Sequence, residues 1–374
     1  MDHSDGARSA LIVGAGIAGL TTASALARRG WQVEVVEAGA EGATAGWGLS
    51  LTGPSLRALD GLGLAEQCLA AGYGMSVITN ADANGVVSSM ELPHLIGHDS
   101  PAMAGIARPE LHRILRTEAL RLGARIHYGL SVSRVDQGDG ETRAELTDGT
   151  VRTVDLLVGA DGIRSVVRDL IGPPAEIRYH GQMVWRALVP RPGWATGIHT
   201  FAGAGHQTGV VPISRNQAYV FLTENQARHD VLPDADLARR MGELLAPFNG
   251  RVTEIRSEVE RSDSVVRRPL QTVFVDTSWS DGTSVIIGDA AHAPSPQMAS
   301  GAALAIEDGL VLAQELDRCH DTRKALEAFV DRRRERCEVL VNTSVAIAEL
   351  EQQQRHEHSY PLMEACHQLM ALPV

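Results

Sequence analysis

The chain has 374 residues, of which 44% are hydrophobic and 21% are charged, a composition typical of a folded protein of one or two domains rather than a disordered one. The net charge of −12 argues against a nucleic-acid-binding protein, because the neutralisation of phosphates requires a basic surface. No apolar run approaches the roughly 20 residues that span a bilayer. The four cysteines lack metal-ligand spacing and indicate free thiols in a cytoplasmic protein.

The first predicted elements form a βαβ unit. The apolar run at 10–13 predicts a buried strand, the residues after it predict a helix that ends at Gly30, and residues 31–37 predict a second strand. A strand, a helix and a strand in this order favour a parallel sheet.

The turn between the first strand and the helix reads Gly-Ala-Gly-Ile-Ala-Gly. Gly14 permits a tight turn, Gly16 lets the backbone approach a pyrophosphate, and Gly19 lets the helix pack closely on the strand. The helix N-terminus supplies free N–H groups for the phosphates. Glu37, at the end of the second strand, is placed to accept hydrogen bonds from a ribose. The unit therefore predicts a dinucleotide site, although it does not distinguish FAD from NAD.

The next part of the chain gives weaker signals. Residues 39–53 are rich in Gly and Ala and predict a loop. Pro109 at a first-turn position predicts a helix over 109–122, which ends at Gly123. Residues 142–158 predict a hairpin whose second strand is 151–158.

The pattern changes again in the second half. From about 175 to 275, short alternating segments broken by Pro and Gly predict a mostly antiparallel sheet, with one helix near 234–246. The apolar run 284–287 predicts a final buried strand, followed by a helix at 300–316 and a long helical stretch at 322–355.

Further motifs resemble those of a known family. Residues 154–168 contain Val-Gly-Ala-Asp-Gly-Ile-Arg-Ser, and residues 285–294 read Val-Ile-Ile-Gly-Asp-Ala-Ala-His-Ala-Pro. Together with Arg-Pro-Glu-Leu at 108–111 and Ala-Ile-Glu-Asp at 305–308, they resemble the group A flavoprotein monooxygenases, the para-hydroxybenzoate hydroxylase-like family. The resemblance covers about residues 10–340 and is nearest to the salicylate hydroxylase and hydroxynicotinate monooxygenase types.

This resemblance implies an α/β fold with a Rossmann-type FAD-binding domain, an inserted, mostly antiparallel β-sheet substrate domain and a long C-terminal helix. The expected division of the chain is a first part of the FAD-binding domain at 1–174, a substrate domain at 175–278, a second part of the FAD-binding domain at 279–321 and a C-terminal helical region at 322–374.

The resemblance also implies an activity. The protein is expected to bind FAD non-covalently, to take a hydride from NADH or NADPH, and to use O2 to hydroxylate a small aromatic or heteroaromatic substrate through a flavin hydroperoxide. The cofactor performs this chemistry, while the protein orients the substrate and excludes water. The expected partners are therefore the substrate and O2, without metal, nucleic acid or membrane span, in a monomer or homodimer.

Several residues are expected to hold the cofactor. Asp289 ends a buried strand, where its carboxylate can accept hydrogen bonds from the ribityl hydroxyls, and Gly288 leaves room for the flavin chain. By resemblance, Asp161 is shared between the FAD and nicotinamide sites, and Arg108 lies near ribityl or pyrophosphate oxygens, which suit a guanidinium. The following helix begins Ala-Ser-Gly-Ala-Ala, where the family has Gly-Gln-Gly-x-Asn, and its N-terminus directs positive charge at the flavin. The complete predicted cofactor-binding set is Gly14, Gly16, Ala18, Gly19, Glu37, Gly48, Arg108, Val132, Asp161, Gly288, Asp289, Gly301 and Ala302.

A phenolic substrate gains electron density from a base that titrates near neutral pH. The candidates for this base or for substrate orientation are His292, beside the flavin, His206 and Tyr219, in the predicted substrate sheet, and Arg186, where relatives carry an aromatic-arginine pair. Pro294 is expected, by resemblance, close to the flavin ring. A structural role is the alternative for each histidine.

Two other functions are compatible with the same scaffold. One is a non-hydroxylating flavoenzyme, such as a reductase or a halogenase, although the sequence contains no Trp-x-Trp-x-Ile-Pro segment of a halogenase. The other is a FAD-binding sensor without turnover. NADH oxidation, oxygen uptake and the mass of the product distinguish these functions from hydroxylation.

Overall fold

The computed structural model of the chain describes residues 7–42, 47–81, 87–203, 205–228 and 230–374. The strands are β1 (Ser9–Val13), β2 (Gln32–Glu37), β3 (Gly48–Leu51), β4 (Tyr73–Met75), β5 (Val77–Ala81), β6 (Val87–Glu91), β7 (Met103–Ala107), β8 (Arg125–Tyr128), β9 (Val132–Gln137), β10 (Thr142–Leu146), β11 (Val151–Val154), β12 (Leu156–Gly159), β13 (Arg178–Pro190), β14 (Ile198–Gly203), β15 (His206–Pro212), β16 (Gln217–Asn225), β17 (Val265–Phe274), β18 (Ser280–Asp281) and β19 (Ser284–Ile286). The helices are α1 (Ile17–Ala27), α2 (Gly53–Gly61), α3 (Ala65–Ala71), α4 (Arg108–Arg121), α5 (Val166–Ile171), α6 (Asp234–Leu245), α7 (Arg251–Arg261), α8 (Asp289–His292), α9 (Gly301–Arg318), α10 (Thr322–Gln352) and α11 (Ser359–Ala371), with 3-10 turns at Pro296–Met298 and His356–His358.

The first region is built on a six-stranded sheet in the order β18-β19-β12-β1-β2-β8. Its strands pair in parallel except at the edge, where β18 runs antiparallel to β19. The central strands β1 and β12 are almost fully buried apolar runs, as expected for a parallel sheet that is covered on both faces. The expected Rossmann-type βαβ unit is therefore present, with α1 packed against α4 and α9.

The second region contains a seven-stranded sheet in the order β17-β13-β16-β15-β14-β5-β6. Its neighbours are antiparallel except β14 and β5, and α6 and α7 complete a second apolar core around Trp185 and Met241. Two of its strands, β5 and β6, come from 77–91, which the sequence assigned to the first part of the FAD-binding domain. The division of the chain into four segments stays a prediction.

The structure corrects three predicted elements. The single strand expected at 151–158 is wrong, because β11 and β12 belong to different sheets. Between them, the Asp155 carboxylate accepts hydrogen bonds from the backbone N–H of Ser9 at 2.7 Å and from its hydroxyl at 2.8 Å, which fixes the chain at the crossing. The loop expected at 39–53 contains β3, which pairs with β7, and a second helix, α7, follows α6.

The long helix α10 packs against α9 and α11 and carries a buried network of charges. Arg333 donates hydrogen bonds to Asp308 at 2.7 Å and Glu307 at 2.9 Å, and Arg336 donates to Glu307 at 2.9 Å. Nε2 of His292 lies 2.7 Å from Asp308. Opposite charges in direct contact reduce the cost of burying each of them. Like the other described helices, α10 is too polar or too short to cross a membrane.

Candidate cofactor groove and substrate cavity

The glycines of the first turn have the geometry that close backbone packing requires. Gly14 has a φ of 106°, and a Cβ at this position would lie 2.3 Å from the carbonyl oxygen of Ala160. A Cβ on Gly19 would lie 1.9 Å from the carbonyl oxygen of Gly14. By contrast, a Cβ on Gly16, which precedes α1, would meet no described atom within 4 Å. Gly16 and the helix N-terminus therefore face open space, where a phosphate can approach the free N–H groups.

The carboxylate of Glu37 is tied to this turn. Its Oε2 accepts a hydrogen bond from the N–H of Ala15 at 2.8 Å, and its Oε1 accepts one from the N–H of Gly39 at 2.8 Å. Each carboxylate oxygen can accept a second bond. The predicted ribose contact of Glu37 stays a prediction, and the two observed bonds hold the carboxylate at the end of β2.

The second cofactor motif meets the first one directly. Gly288 has a φ of 58°, and a Cβ on it would lie 3.0 Å from the Cβ of Ala18. The N–H of Gly288 donates to Oδ2 of Asp308 at 2.7 Å, which ties the end of the β19 segment to the buried network. Asp289 follows as the first residue of α8 and is exposed, next to the point where the two motifs meet.

Charged side chains line the continuation of this groove. Burial raises the pKa of the Asp289 carboxyl, while the positive charges of His292 and Arg108 oppose this shift. Burial lowers the pKa of Arg186, with opposition from Tyr219 and a further lowering by Arg108. Within the described residues, the guanidinium groups of Arg108 and Arg186 donate no hydrogen bond and form no ion pair. The Arg108 guanidinium and the Asp289 carboxylate are thus available for a ligand, a donor and acceptor pair that fits the phosphate and ribityl oxygens of FAD.

Two other predicted cofactor residues have structural partners. Asp161 accepts hydrogen bonds from the Ser165 hydroxyl at 2.5 Å and from the N–H groups of Val166 at 2.7 Å and Val167 at 3.1 Å. The carboxylate therefore caps the N-terminus of α5. Val132 is buried at the start of β9. Their predicted contacts with cofactor and nicotinamide stay predictions.

The N-terminus of α9 lies beside the loop that follows α8. Gly301 and Ala302 are the first residues of α9, and a Cβ on Gly301 would lie 3.6 Å from Cγ of Pro294. The free N–H groups and partial positive charge of a helix start suit an electron-rich ring edge. The structure thus brings together one predicted catalytic residue, Pro294, and two predicted cofactor-binding residues.

A cavity of about 520 Å³ lies between the seven-stranded sheet, the loop before α9, and helix α11. Most of its lining is apolar, and five methionines contribute to it: Met90, Met103, Met298, Met363 and Met370. Arg186 and Tyr219 line it from the sheet. Gly48 is required at its position in β3, because a Cβ there would lie 2.6 Å from Cδ1 of Tyr219. The cavity is the candidate substrate site.

The remaining predicted catalytic residues lie outside this lining. His206 is half-buried on β15, with burial lowering its pKa. His292 is fully buried in the α10 network, where its acceptors Asp308 and Cys337 raise its pKa well above the usual range although burial opposes protonation. An imidazole that already holds its proton cannot take another from a substrate. The position of His292 therefore does not support the expected role as a base in the substrate site.

His292, Asp308 and Cys337 place one ligand atom each within 4.8 Å of one another. Although burial opposes ionisation, His292 and Arg333 hold the pKa of Asp308 at about 2. Arg333 bonds the same carboxylate and supplies the positive charge that a metal ion would bring. The cluster is a neutralised structural network rather than an open metal site.

Among the polar cavity residues that the sequence did not reveal are Gln297, Glu351 and His367. Gln297 stands in the turn before α9, Glu351 in the last turn of α10, and His367 on α11. A glutamate and a histidine on polar helices look like solvated surface residues in the sequence. In the folded chain, α11 packs against α10, and both residues line the cavity.

Comparison with known proteins identifies the family and the fold of the chain. The family model described as "FAD binding domain" matches residues 8–344. The 2-heptyl-3-hydroxy-4(1H)-quinolone synthase of Pseudomonas aeruginosa is 34% identical over 307 residues, covering 81% of this chain and 79% of the relative. The 3-amino-4-hydroxybenzoate 2-monooxygenase of Streptomyces cremeus is 32% identical over 317 residues, covering 82% and 78%. Among solved structures, the tetrameric form of 2-methyl-3-hydroxypyridine-5-carboxylic acid oxygenase has a TM-score of 0.82 and 26% identity, covering 96% of both chains.

Proposed function

The chain belongs to the group A flavoprotein monooxygenases, and we propose that its substrate is a fused heteroaromatic ring with an apolar substituent, of the 4-quinolone type. As a member of this family, the protein is an FAD-dependent monooxygenase that uses NAD(P)H and O2 to hydroxylate a small aromatic or heteroaromatic ring. Bound FAD supplies the redox chemistry, whereas the chain binds the ring, orients it and excludes water.

The observation that carries the proposal is the size and lining of the cavity. An apolar cavity of about 150 Å³ is large enough for a benzene ring. The cavity described here has about 520 Å³, which leaves room for a second ring and an alkyl substituent. Its methionines are flexible and polarisable, and such side chains adapt well to a long apolar group.

The two curated relatives compared above differ in the kind of ring that their names contain. The Pseudomonas aeruginosa enzyme is named for a quinolone with a heptyl group, and the Streptomyces cremeus enzyme for a hydroxybenzoate. A single ring with a carboxylate would leave most of the wall that the five methionines form without a contact. The hydrophobic contribution of that wall, about 25 cal/mol for each Å² removed from water, favours the alkylated ring.

The polar residues on the sheet side of the cavity would orient the ring. Burial raises the pKa of Tyr219, so that its hydroxyl remains a hydrogen-bond donor at neutral pH. Arg186, which has no described ion-pair partner, can donate beside it. Both donors suit a ring carbonyl oxygen, which would place the neighbouring ring carbon toward the loop before α9.

The test uses the purified FAD-loaded protein and three probes: 2-heptyl-4(1H)-quinolone, 3-amino-4-hydroxybenzoate and 6-hydroxynicotinate. We expect the quinolone to yield a product that is heavier by one oxygen, with one NAD(P)H oxidised for each product formed. Its kcat/KM should exceed those of the two single-ring acids by about a hundredfold, or about 3 kcal/mol. A higher kcat/KM for either acid would overturn the proposed substrate class.

A further inference from the structure

One corner of the cavity is polar. Gln297 donates through Nε2 to Oε2 of Glu351 at 3.1 Å and to Oε1 of Gln182 at 3.5 Å. Gln182 donates onward to Oδ1 of Asn225 at 3.0 Å. These bonds connect the loop before α9, the end of α10 and the strand β13, and they fix the orientation of the Glu351 carboxyl group.

Glu351 is buried without a cation. Its exposure is 5%, and no described residue forms an ion pair with it. Gln297 donates to one of its oxygens, and the other, Oε1, accepts no hydrogen bond from the residues that the structure describes. Burial raises the pKa of this carboxyl group to about 7, while the bond from Gln297 opposes the shift.

The other titratable groups of the cavity lie on three elements. Arg186 is on β13 and Tyr219 is on β16, while Tyr360, Glu364 and His367 are on α11. All of them line the same cavity as Glu351. Burial lowers the pKa of His367, so this imidazole is neutral near neutral pH. The rise of the Glu351 pKa has burial as its main cause and involves no charge from these groups.

A purely structural role does not account for an acid at this position. A glutamine could accept the same hydrogen bond from Gln297, and it would avoid the cost of placing an ionisable group in an apolar wall. A buried acid in a cleft, with one oxygen held by a partner and the other open to the ligand space, is typical of a group that exchanges a proton.

We propose that Glu351 is the proton acceptor of the substrate site, and this inference rests on the proposed function. The proton leaves the ring N–H or O–H of the substrate and bonds to Oε1 of Glu351, and its electron pair stays on the ring. The carboxylate becomes a neutral acid and the substrate becomes an anion, which raises the electron density at the carbon to be hydroxylated. The acid returns its proton to water after the product leaves.

The experiment compares the FAD-loaded wild type with Glu351→Gln and with Glu349→Gln, an exposed acid on the same helix. Binding of 2-heptyl-4(1H)-quinolone is followed by the change in flavin absorption, and kcat/KM is measured from about pH 5 to about pH 9. In the wild type, we expect kcat/KM to rise with pH and to level off above about 7. Glu351→Gln should lose this rise and about a hundredfold in kcat/KM at about pH 8, with unchanged FAD content. Glu349→Gln should behave as the wild type.

Gln297→Leu provides an independent readout. Because the hydrogen bond from Gln297 lowers the pKa of Glu351, its removal should move the midpoint of the pH profile upward. The assignment would be overturned if Glu351→Gln kept the pH profile of the wild type. It would also be overturned if His367→Gln abolished the rise of kcat/KM with pH while Glu351→Gln retained that rise. If the wild type fails to bind the quinolone, the proposed substrate class is rejected, and the same pH comparison with 3-amino-4-hydroxybenzoate still decides the role of Glu351.

Discussion

The cofactor groove and the substrate cavity are built in different ways. The groove is formed mainly by backbone: glycines at the strand ends, the N-termini of α1 and α9, and a few charged side chains such as Asp289. The cavity is formed by side chains from β3, the seven-stranded sheet, the loop before α9, α10 and α11. A site made of backbone depends on short local segments, whereas a site made of side chains depends on where distant segments meet.

The charge network under both sites gives the largest expected effect. Arg333→Leu leaves Asp308 and Glu307 buried without this cation, and we expect a loss of about 3–5 kcal/mol in the free energy of unfolding. Urea unfolding measures the loss, and the exposed Arg323→Leu on the same helix should stay within about 0.5 kcal/mol of the wild type. Since the network contacts Gly288 and also α11 through Arg336, flavin retention and quinolone binding should weaken together. If Arg333→Leu weakened only flavin retention or only quinolone binding, the network would support only one of the two sites.

Removal of one carboxylate should affect the groove alone. Asp289→Ala takes away the acceptor that faces the expected ribityl chain, and we expect FAD affinity to fall about a hundredfold, or about 3 kcal/mol. The ratio of flavin to protein absorption in the purified protein measures occupancy, with the exposed Asp139→Ala as control. Unchanged occupancy would exclude Asp289 from the cofactor site.

The cavity should show its own pH dependence of stability. The folded-state pKa of Glu351, about 7, lies above the ordinary value of 4.5, so its contribution to stability is complete below about pH 4.5 and is lost as pH rises through 7. Glu351→Gln should therefore gain stability relative to the wild type between about pH 5 and about pH 8, by at most about 3 kcal/mol. Urea unfolding at both pH values measures this difference. If the free energy of unfolding changed equally with pH in both proteins, the buried ionisation of Glu351 would be contradicted.

The smallest effect is expected in the apolar wall. Met363→Ala shortens a half-buried side chain of α11, and we expect about a tenfold loss in quinolone affinity, or about 1.4 kcal/mol, without loss of FAD. Affinity for 3-amino-4-hydroxybenzoate should change much less, because a single ring does not reach along the wall. Equal losses for both ligands would indicate a general change in the cavity rather than a specific contact.

The sequence predicted the groove better than the cavity, because the groove is made of short local segments and the cavity of distant ones. Gly14, Gly19 and Gly288 stand where a Cβ would meet neighbouring atoms at 3.0 Å or less, so the motif itself encodes the contact. Local periodicity predicts the elements β1, α1, β2, α9 and α10. The family comparison agrees with the prediction of a Rossmann-type domain.

The missed features all depend on long-range contacts. The strand pair β5–β6 joins the second sheet through a parallel pairing of β5 with β14, about which the local sequence carries no signal. Asp155 divides the strand predicted at 151–158 through bonds to Ser9, which is far away in the chain. Glu351 and His367 are polar residues whose burial the local sequence does not reveal. They line the cavity where α11 packs against α10, and Arg57 and Arg336 donate hydrogen bonds to carbonyl oxygens at the end of α11.

The interleaving of segments around the cavity limits how this enzyme can be re-engineered. A chimera that exchanges only 175–278 with a relative would transplant five strands of the seven-stranded sheet, but it would leave in place the cavity walls from 50–54, 78–80, 88–103, 296–300 and 351–371. The transplanted and resident halves would have been shaped for different ligands. A change of substrate range in this scaffold therefore calls for coordinated exchange of several short segments, with the last helix among them.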